Sequence, residues 1–304
     1  MAEALPLAED MSIVVLTHNR CESLLRTLDR LRGLAPDIPL VVVDNASTDS
    51  TALRIQRDFP DVTLVRADSN LGAAGRNLGV RAVTTRFVAF CDDDVCWLPD
   101  SLGKARAILD RHDDVAVLSA RILVGASVST DATCERMAIS PLEGEPDVGP
   151  ALTGFMAGAC VVRVSAFESV GGYWAGLFIG GEESLMALDL LQQGWRILYA
   201  PQLQAWHCPS SLRDQHERER LLIRNALMVA WMRLPWNEAL LSTKDALSAL
   251  PSWKQRRQAI LDTWRHYRLS GARRHPVGSD VRQMLRLVRR AEQTGDVLNH
   301  QPFP

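Results

Sequence analysis

Nothing in this chain approaches the roughly 18 consecutive apolar residues of a membrane span, and no excess of one charge sign is present, with Lys+Arg 34 against Asp+Glu 36 and a formal net charge of -2. The first absence argues against an integral membrane protein. The second removes the electrostatic reason to expect nucleic acid or an anionic membrane as the main partner. The six cysteines (Cys21, Cys91, Cys96, Cys134, Cys160, Cys208) lack paired metal spacing. Several sit inside apolar runs, which suits free thiols in a reducing compartment and excludes a disulfide framework. There is no internal repeat and no low-complexity tract. The first ten residues are acidic with no cationic start, so 1–10 reads as a frayed tail and not a signal peptide. The expected location is cytoplasmic.

What is present is a large apolar fraction, 47% of 304 residues, enough for one sizeable core or a domain with an appendage. Apolar runs of strand length, Ser12 to Leu16, Leu40 to Val43, Val62 to Val65, Phe87 to Cys91 and Val115 to Leu118, alternate with amphipathic stretches near Glu22 to Leu31, Thr51 to Asp58, Ala73 to Val83 and Leu102 to Arg111. Strand, helix, strand at this spacing implies right-handed parallel crossovers. The fold class expected is α/β, a doubly wound, mostly parallel sheet with helices on both faces. A polar stretch with glycines and prolines, Ala126 to Pro150, reads as a long loop or hairpin and therefore as a lid. Regularity resumes at Gly158 to Val164, a short strand is expected at Ile197 to Ala200 and another ending at His207, and from Ser211 the chain turns helical and Arg-rich. The division expected is 1–10 tail, 11–210 catalytic domain, 211–304 helical region.

Three consecutive aspartates, Asp92, Asp93 and Asp94, follow the run Phe87 to Cys91. They would emerge at a strand's carboxyl end, where open α/β sheets bind ligands. Side chains alternate along extended chain, so Asp92 and Asp94 would point the same way and could share one hard divalent cation. Cys91 and Cys96 bracket them, but soft thiolates and hard carboxylates select different metals. The plainer reading is that Asp94 precedes or caps the helix announced by Pro99 to Leu102.

The loops after the other strands are Thr17-His18-Asn19-Arg20, Asp44 to Asp49 and Asn70 to Gly79. Asp44 could accept hydrogen bonds from a base or ribose, and with Thr48 or Asp49 available as cap it is left with no local structural duty. Glycines in the third loop permit close backbone approach, and a helix amino terminus suits an anion. Neither a nucleoside-triphosphatase phosphate loop nor G-x-G-x-x-G is present. Further on, Gly180-Gly181-Glu182-Glu183 precedes a helix, where two carboxylates at least serve the helix dipole.

The succession Val15 to Arg20, Val42 to Asp49, Asn70 to Gly79 and Phe90 to Asp94 resembles glycosyltransferase family 2, the nucleotide-sugar-dependent inverting enzymes of the GT-A fold, from about Met11 to Ser210. The resemblance implies a hexosyl- or deoxyhexosyltransferase. Its donor pocket would use Thr17, Asn19, Arg20, Asp44, Asn45, Asn70, Gly72, Arg76, Asn77, Asp92 and Asp93. Asp92 and Asp94 would form the aspartate-x-aspartate motif that holds Mg2+ or Mn2+ against the donor diphosphate, and His207 would reach the metal or the diphosphate. Glu183, with Glu182 second, would be the general base. This chain departs from the family pattern in carrying Leu185 at a usual aspartate and Asp189 at a usual arginine. Trp174 could stack on acceptor or sugar, or serve the core.

Partners expected are a nucleoside-diphosphate sugar and a hydroxyl acceptor of unassigned class (glycan, lipid-linked sugar or small natural product), with no nucleic acid. In the tail, Arg218, Arg220, Arg224 and Arg233 share a helix with Leu221, Leu222, Leu227, Val229 and Trp231. Packing on the chain's own domain or on a second subunit is favoured over peripheral contact at the inner face of the membrane. The alternatives are a nucleotidyltransferase, which should carry a glycine-rich loop after the first strand, and a catalytically silent sugar-binding or scaffold protein.

Overall fold

A computed structural model describes residues 6–125, 128–208, 215–269 and 271–294. A helical turn, α1 (Leu7–Asp10), leads into β1 (Met11–Thr17), α2 (Cys21–Leu34), β2 (Leu40–Asp44), α3 (Thr51–Asp58), β3 (Thr63–Arg66) and α4 (Arg76–Arg81), the last entered through a 3-10 turn at Gly72–Gly75. Then come β4 (Phe87–Asp92), β5 (Val95–Trp97), α5 (Ser101–Arg111), β6 (Val115–Val124), β7 (Ser129–Thr130), α6 (Ala132–Ala138), β8 (Leu142–Glu145), β9 (Gly149–Ala151) and β10 (Ala159–Arg163). After α7 (Val164–Ser169) and a 3-10 turn at Ala175–Leu177 follow α8 (Glu182–Gln192) and β11 (Arg196–His207). Four helices end the described chain: α9 (Gln215–Arg233), α10 (Trp236–Ser248), α11 (Trp253–Leu269) and α12 (Ser279–Thr294).

The strands form one sheet in the order β3-β2-β1-β4-β10-β6-β11-β9-β8, with β5 on β11 and β7 on β6. The β3-β2-β1-β4 half is parallel, as is the long β6/β11 ladder, and β10 runs antiparallel between β4 and β6. Strands β1, β2 and β4 are buried almost throughout, which explains their Val, Ile and Leu content. Helix α2 covers them with Leu24, Leu28 and Leu31 at helical spacing, each 1% exposed or less.

Three expectations need correction. The acidic start is ordered from Leu7, and Asp10 is fully buried, with Arg86 Nε donating to its Oδ1 at 2.5 Å and Arg106 Nε 3.0 Å from its Oδ2; residues 1–5 lie outside the described residues. The stretch Ala126 to Pro150 is not a structureless lid, and its residues 126–127 also lie outside the described residues. Asp131 caps α6 by accepting from Thr133 N at 2.7 Å, Cys134 is fully buried, and the β8/β9 hairpin joins the main sheet through Leu198 opposite Ala151. Finally, the two short strands read around Ile197 and His207 are one strand, β11, with a register shift between Ala200 and Gln204.

The hydrophobic core runs on into the helical region through Met228, Val229, Met232, Val277 and Val281. Arg233 grips Asp189 of α8 with two bonds, at 2.5 and 2.9 Å. Asp189 of α8 is thus paired with a cation reaching in from α9.

Candidate active site

The expected loops begin at one level. Thr17 lies opposite Asp44, Leu16 opposite Asp92, and Asp44 opposite Arg66, so all of them open at the strands' carboxyl ends. From Asp92 the chain turns through Asp93-Asp94 into β5, and Cys208 N donates to Asp94 O at 2.9 Å.

The three aspartates take different environments. Asp93 is buried, accepting from Thr17 Oγ1 at 2.9 Å and facing Arg20 Nη1 at 2.8 Å. Burial pushes its carboxyl up to about 7, with Arg20 opposing. Asp94 is also buried, and burial alone would raise it, but His207 Nε2 at 3.5 Å and Arg20 Nη2 at 2.8 Å bring it down to about 2. Asp92 keeps over a third of its side chain exposed and accepts from Arg76 Nη2. A Cβ added at Gly158, at the head of β10, would lie 2.6 Å from Asp92 Oδ2, so glycine there leaves the carboxylate room.

Asp94 and His207 therefore meet, as two donors for a cation should. Asp92 stands apart on Arg76, and the shared site expected for Asp92 and Asp94 is not assembled by protein groups alone. Among the described residues, the compact trio of possible ligands is instead His112, Glu145 and Asp147. Its carboxylates are already held by Arg196, 2.5 Å from Glu145, and Arg111, 2.8 Å from Asp147.

The glutamates enter the same cleft from the other side. Gly180 and Gly181 both adopt positive φ, and Gly181 precedes the first residue of α8. Asn225 of α9, fully buried, donates through Nδ2 to Leu177 O (2.8 Å), Ile179 O (2.9 Å) and Gly180 O (2.6 Å), and Arg224 Nη2 adds a bond to Leu177 O (3.1 Å). Sequence reasoning missed Asn225, which carries no motif; an asparagine among the apolar residues of α9 was the one signal. Glu182 is buried and its Oε2 has no hydrogen-bond partner among the described residues; burial, then its neighbour Glu183, raise it to about 8. Glu183 is less enclosed, and burial raises it too, opposed by backbone N–H groups including that of Ala157 and by Arg76.

Arg76 joins the two acidic groups. It is 6% exposed, bonds Asp92, lies with its guanidinium carbon 6.0 Å from the centroid of the Tyr173 ring, and is held charged, against the cost of burial, by Asp92, Tyr173, Glu183 and Glu182. Its Nε and the Tyr173 hydroxyl have no partner among the described residues.

Several expected donor contacts serve the scaffold. Asp44 is fully buried, accepting from Ser47 N at 2.8 Å and facing Arg66 Nε at 3.2 Å, so it does have a local structural duty. Asn19 accepts from Thr48 N at 2.7 Å and Asn45 donates to Asn70 Oδ1 at 2.9 Å and Gly72 O at 3.0 Å, tying the three loops together. Asn77 spends its amide on Tyr173, donating to its O at 2.8 Å and accepting from its N at 2.9 Å. The glycines approach protein rather than a ligand: a Cβ on Gly72 would meet Phe178 O at 1.9 Å, and one on Gly79 Val14 Cγ1 at 2.3 Å. Ala73 N donates to Phe178 O at 2.7 Å, linking the third donor loop to the segment before Glu182. Trp174 is partly buried with its ring over Gly176.

A cavity of about 550 Å³ adjoins the glutamates, lined among others by Thr153, Phe155, Ser184, Leu188, Leu222 and Leu285. The segment leading from its wall at Thr153–Phe155 reaches Ala157 beside Glu183 and Gly158 beside Asp92.

A pre-mycofactocin glycosyltransferase of Mycobacterium tuberculosis is 27% identical over 75% of this chain and 53% of its own length. An uncharacterized glycosyltransferase of Haemophilus influenzae is 28% identical over 34% of this chain and 36% of its own. The chain thus spans about half or less of the curated relatives it matches. Among solved structures, the mannosyltransferase PcManGT from Pyrobaculum calidifontis in complex with GDP-Man and Mn2+ superposes with a TM-score of 0.57 at 19% identity, covering 99% of this chain and 92% of that one. GalNAc-T7 with UDP, GalNAc and Mn2+ gives 0.62 at 15% identity, covering 94% and 58%. S. aureus TarS 1-349 in complex with UDP-GlcNAc gives 0.57 at 15%, covering 94% and 92%. These structures share the GT-A fold. The profile of the family described as Glycosyl transferase family 2 matches residues 12–171, more than half of the chain, and the chain belongs to that family.

Proposed function

We propose that the chain is an inverting glycosyltransferase that moves a sugar from a nucleoside-diphosphate sugar to an acceptor hydroxyl, with Met11 to Ser210 as its catalytic part. The observation that carries the reading is the convergence of Asp92 and the Glu182-Glu183 pair on buried Arg76. Glycosyl transfer by single displacement needs two such poles, one for the departing diphosphate and one for the incoming hydroxyl. Named relatives are glycosyltransferases, and solved neighbours hold GDP-Man or UDP-GlcNAc.

The Asp94 carboxylate offers hard oxygen donors that suit Mg2+ or Mn2+, with the borderline imidazole nitrogen of His207 3.5 Å away as a second donor, and such ions keep waters and bind through few protein ligands together with phosphate oxygens. When bound, the ion supplies neutralisation of the charge that builds on the departing diphosphate. Asp92 helps to hold it in the presence of donor, and Arg76 places a further positive charge beside that position.

On the acceptor side, Glu183 takes the hydroxyl proton while the oxygen bonds to the anomeric carbon and the bond from that carbon to the diphosphate oxygen breaks, inverting the centre. A base raised toward neutrality matches this task. Glu183 is preferred over Glu182 because it is the more accessible of the two. The acceptor would approach along Thr153 to Ala157, with the 550 Å³ cavity to receive its non-reacting part, and Trp174 is the candidate stacking face for it.

The deciding test is a panel of nucleotide sugars scored for thermal stabilisation with and without Mn2+, followed by product analysis with the stabilising donor. Stabilisation by one nucleotide family, and an anomeric configuration opposite to the donor's, are expected. A retained configuration, or no response to any nucleotide sugar, would remove the proposal.

A further inference from the structure

Helix α11 carries a face that none of the described residues covers. Trp253, Ile260, Leu261 and Trp264 are 76, 45, 47 and 59% exposed. With Arg257 and Arg268, also exposed, they fall at helical intervals along one stripe, and exposed Lys254 and Arg265 flank it. The Arg268 guanidinium stacks 5.0 Å from the Trp264 ring centroid. The opposite face is the packed one: Ala259 and Thr263 are buried, and His266 Nε2 meets Gly176 O. Tryptophan between apolar and basic side chains, on a helix that does not span, is the composition that suits the boundary of a lipid bilayer.

The charge selects the occupant. The stripe and its flanks hold four cations, and Asp262, the one acid in α11, lies off the stripe within reach of Gln258 Nε2 at 2.8 Å. A second copy docked through this face would set those cations against their counterparts, whereas anionic headgroups complement them. In α9, by contrast, Arg224 and Arg233 are occupied inside the protein.

We infer that the exposed face of α11 is an interfacial membrane-binding surface for anionic phospholipid. Trp253 and Trp264 enter the headgroup boundary, and Lys254, Arg257, Arg265 and Arg268 meet lipid phosphates. Because α11 rests on Gly176, in the segment that leads to Glu182, bound lipid would lie alongside the proposed acceptor side of the cleft. The surface itself does not depend on the catalytic reading.

The experiment is co-sedimentation of the full chain with vesicles of phosphatidylcholine alone and of phosphatidylcholine with about a third phosphatidylglycerol. Binding only to the anionic vesicles, weakened by salt, is expected. Near an anionic surface each basic residue strengthens partitioning about fivefold, so Arg257→Glu with Arg265→Glu should weaken it about 25-fold or more. Trp253→Ser with Trp264→Ser should weaken binding at unchanged melting temperature. The proposal is overturned by equal recovery with both vesicle types, by variants that sediment like the parent, or by light scattering that finds a dimer which the tryptophan variant dissolves.

Discussion

Arg76 donates to Asp92 from a position that is almost wholly enclosed, and the same guanidinium lies in the field of Glu182 and Glu183. One cation therefore sets the charge of both halves of the cleft. Breaking a buried pair by removing one partner costs about 3 to 5 kcal/mol; because Asp92 is over a third exposed, about 2 kcal/mol is the better expectation. Arg76→Gln should lower the melting temperature by several degrees. It should also move the acid limb of the kcat/KM profile to higher pH, since Arg76 opposes the rise in both glutamates. An unmoved limb would disconnect Arg76 from the base.

The glutamates can be separated by isosteric change. Glu183→Gln keeps size and removes basicity, so kcat should fall about 100-fold or more with donor binding nearly unchanged. Glu182→Gln should be the milder change. If the order is reversed, the base is Glu182.

The raised pair also predicts a pH dependence in two observables. Activity should climb as the pH rises above the usual carboxylate range, because burial raises Glu183 and the base must shed its proton. Stability should run the other way. A carboxyl raised in the folded state holds a proton that the unfolded chain gives up near 4.5, so the stability it contributes is whole below that pH and is lost as pH rises through about 8. Asp94 has the opposite sign: its contribution is present above 3.8 and is lost as pH falls through about 2. Melting curves of Glu182→Gln against the parent between pH 5 and 8 check the first, since the slope should flatten in the variant.

Metal and donor should stabilise the protein together. A nucleoside diphosphate should raise the melting temperature far more with Mn2+ than with chelator, and Asp94→Asn should erase the difference while Arg20 keeps its bond to Asp93. Equal shifts in all conditions would take the cation out of the reaction.

Asn225 offers a test of the helical region. Its three bonds to the carbonyls of Leu177, Ile179 and Gly180 hold the turn that presents the glutamates. Asn225→Leu should cost about 2 to 3 kcal/mol by removing the side-chain donor to the Ile179 and Gly180 carbonyls, Leu177 O keeping its bond from Arg224, and should lower kcat more than it changes donor affinity.

The sequence was most legible where chemistry and period coincide. The strands that carry Thr17, Asp44 and Asp92 lie within a residue or two of their expected bounds because buried parallel strands are written as near-continuous apolar runs, here Ile13 to Leu16, Leu40 to Val43 and Phe87 to Cys91. Site contacts were harder to foresee. Asn77, expected near the donor, holds the Tyr173 backbone, while the glycines of the third loop make room for Phe178 and Val14. Such duties depend on segments about 100 residues away, which no local pattern records. The stretch from Ala126 to Pro150 misled for a related reason: its glycines and prolines mark turns, yet Cys134, Leu142 and Val148 anchor it in the core. Replacing Thr130 to Glu145 with a Gly-Ser linker should consequently unfold the protein.

The bond from Ala73 N to Phe178 O has a thermodynamic meaning. It fastens the loop after β3 to the chain that delivers the glutamates, so a shift in one wall of the cleft is felt by the other. In the proposed reading, whatever factor a bound donor applies to acceptor affinity, a bound acceptor must apply to donor affinity.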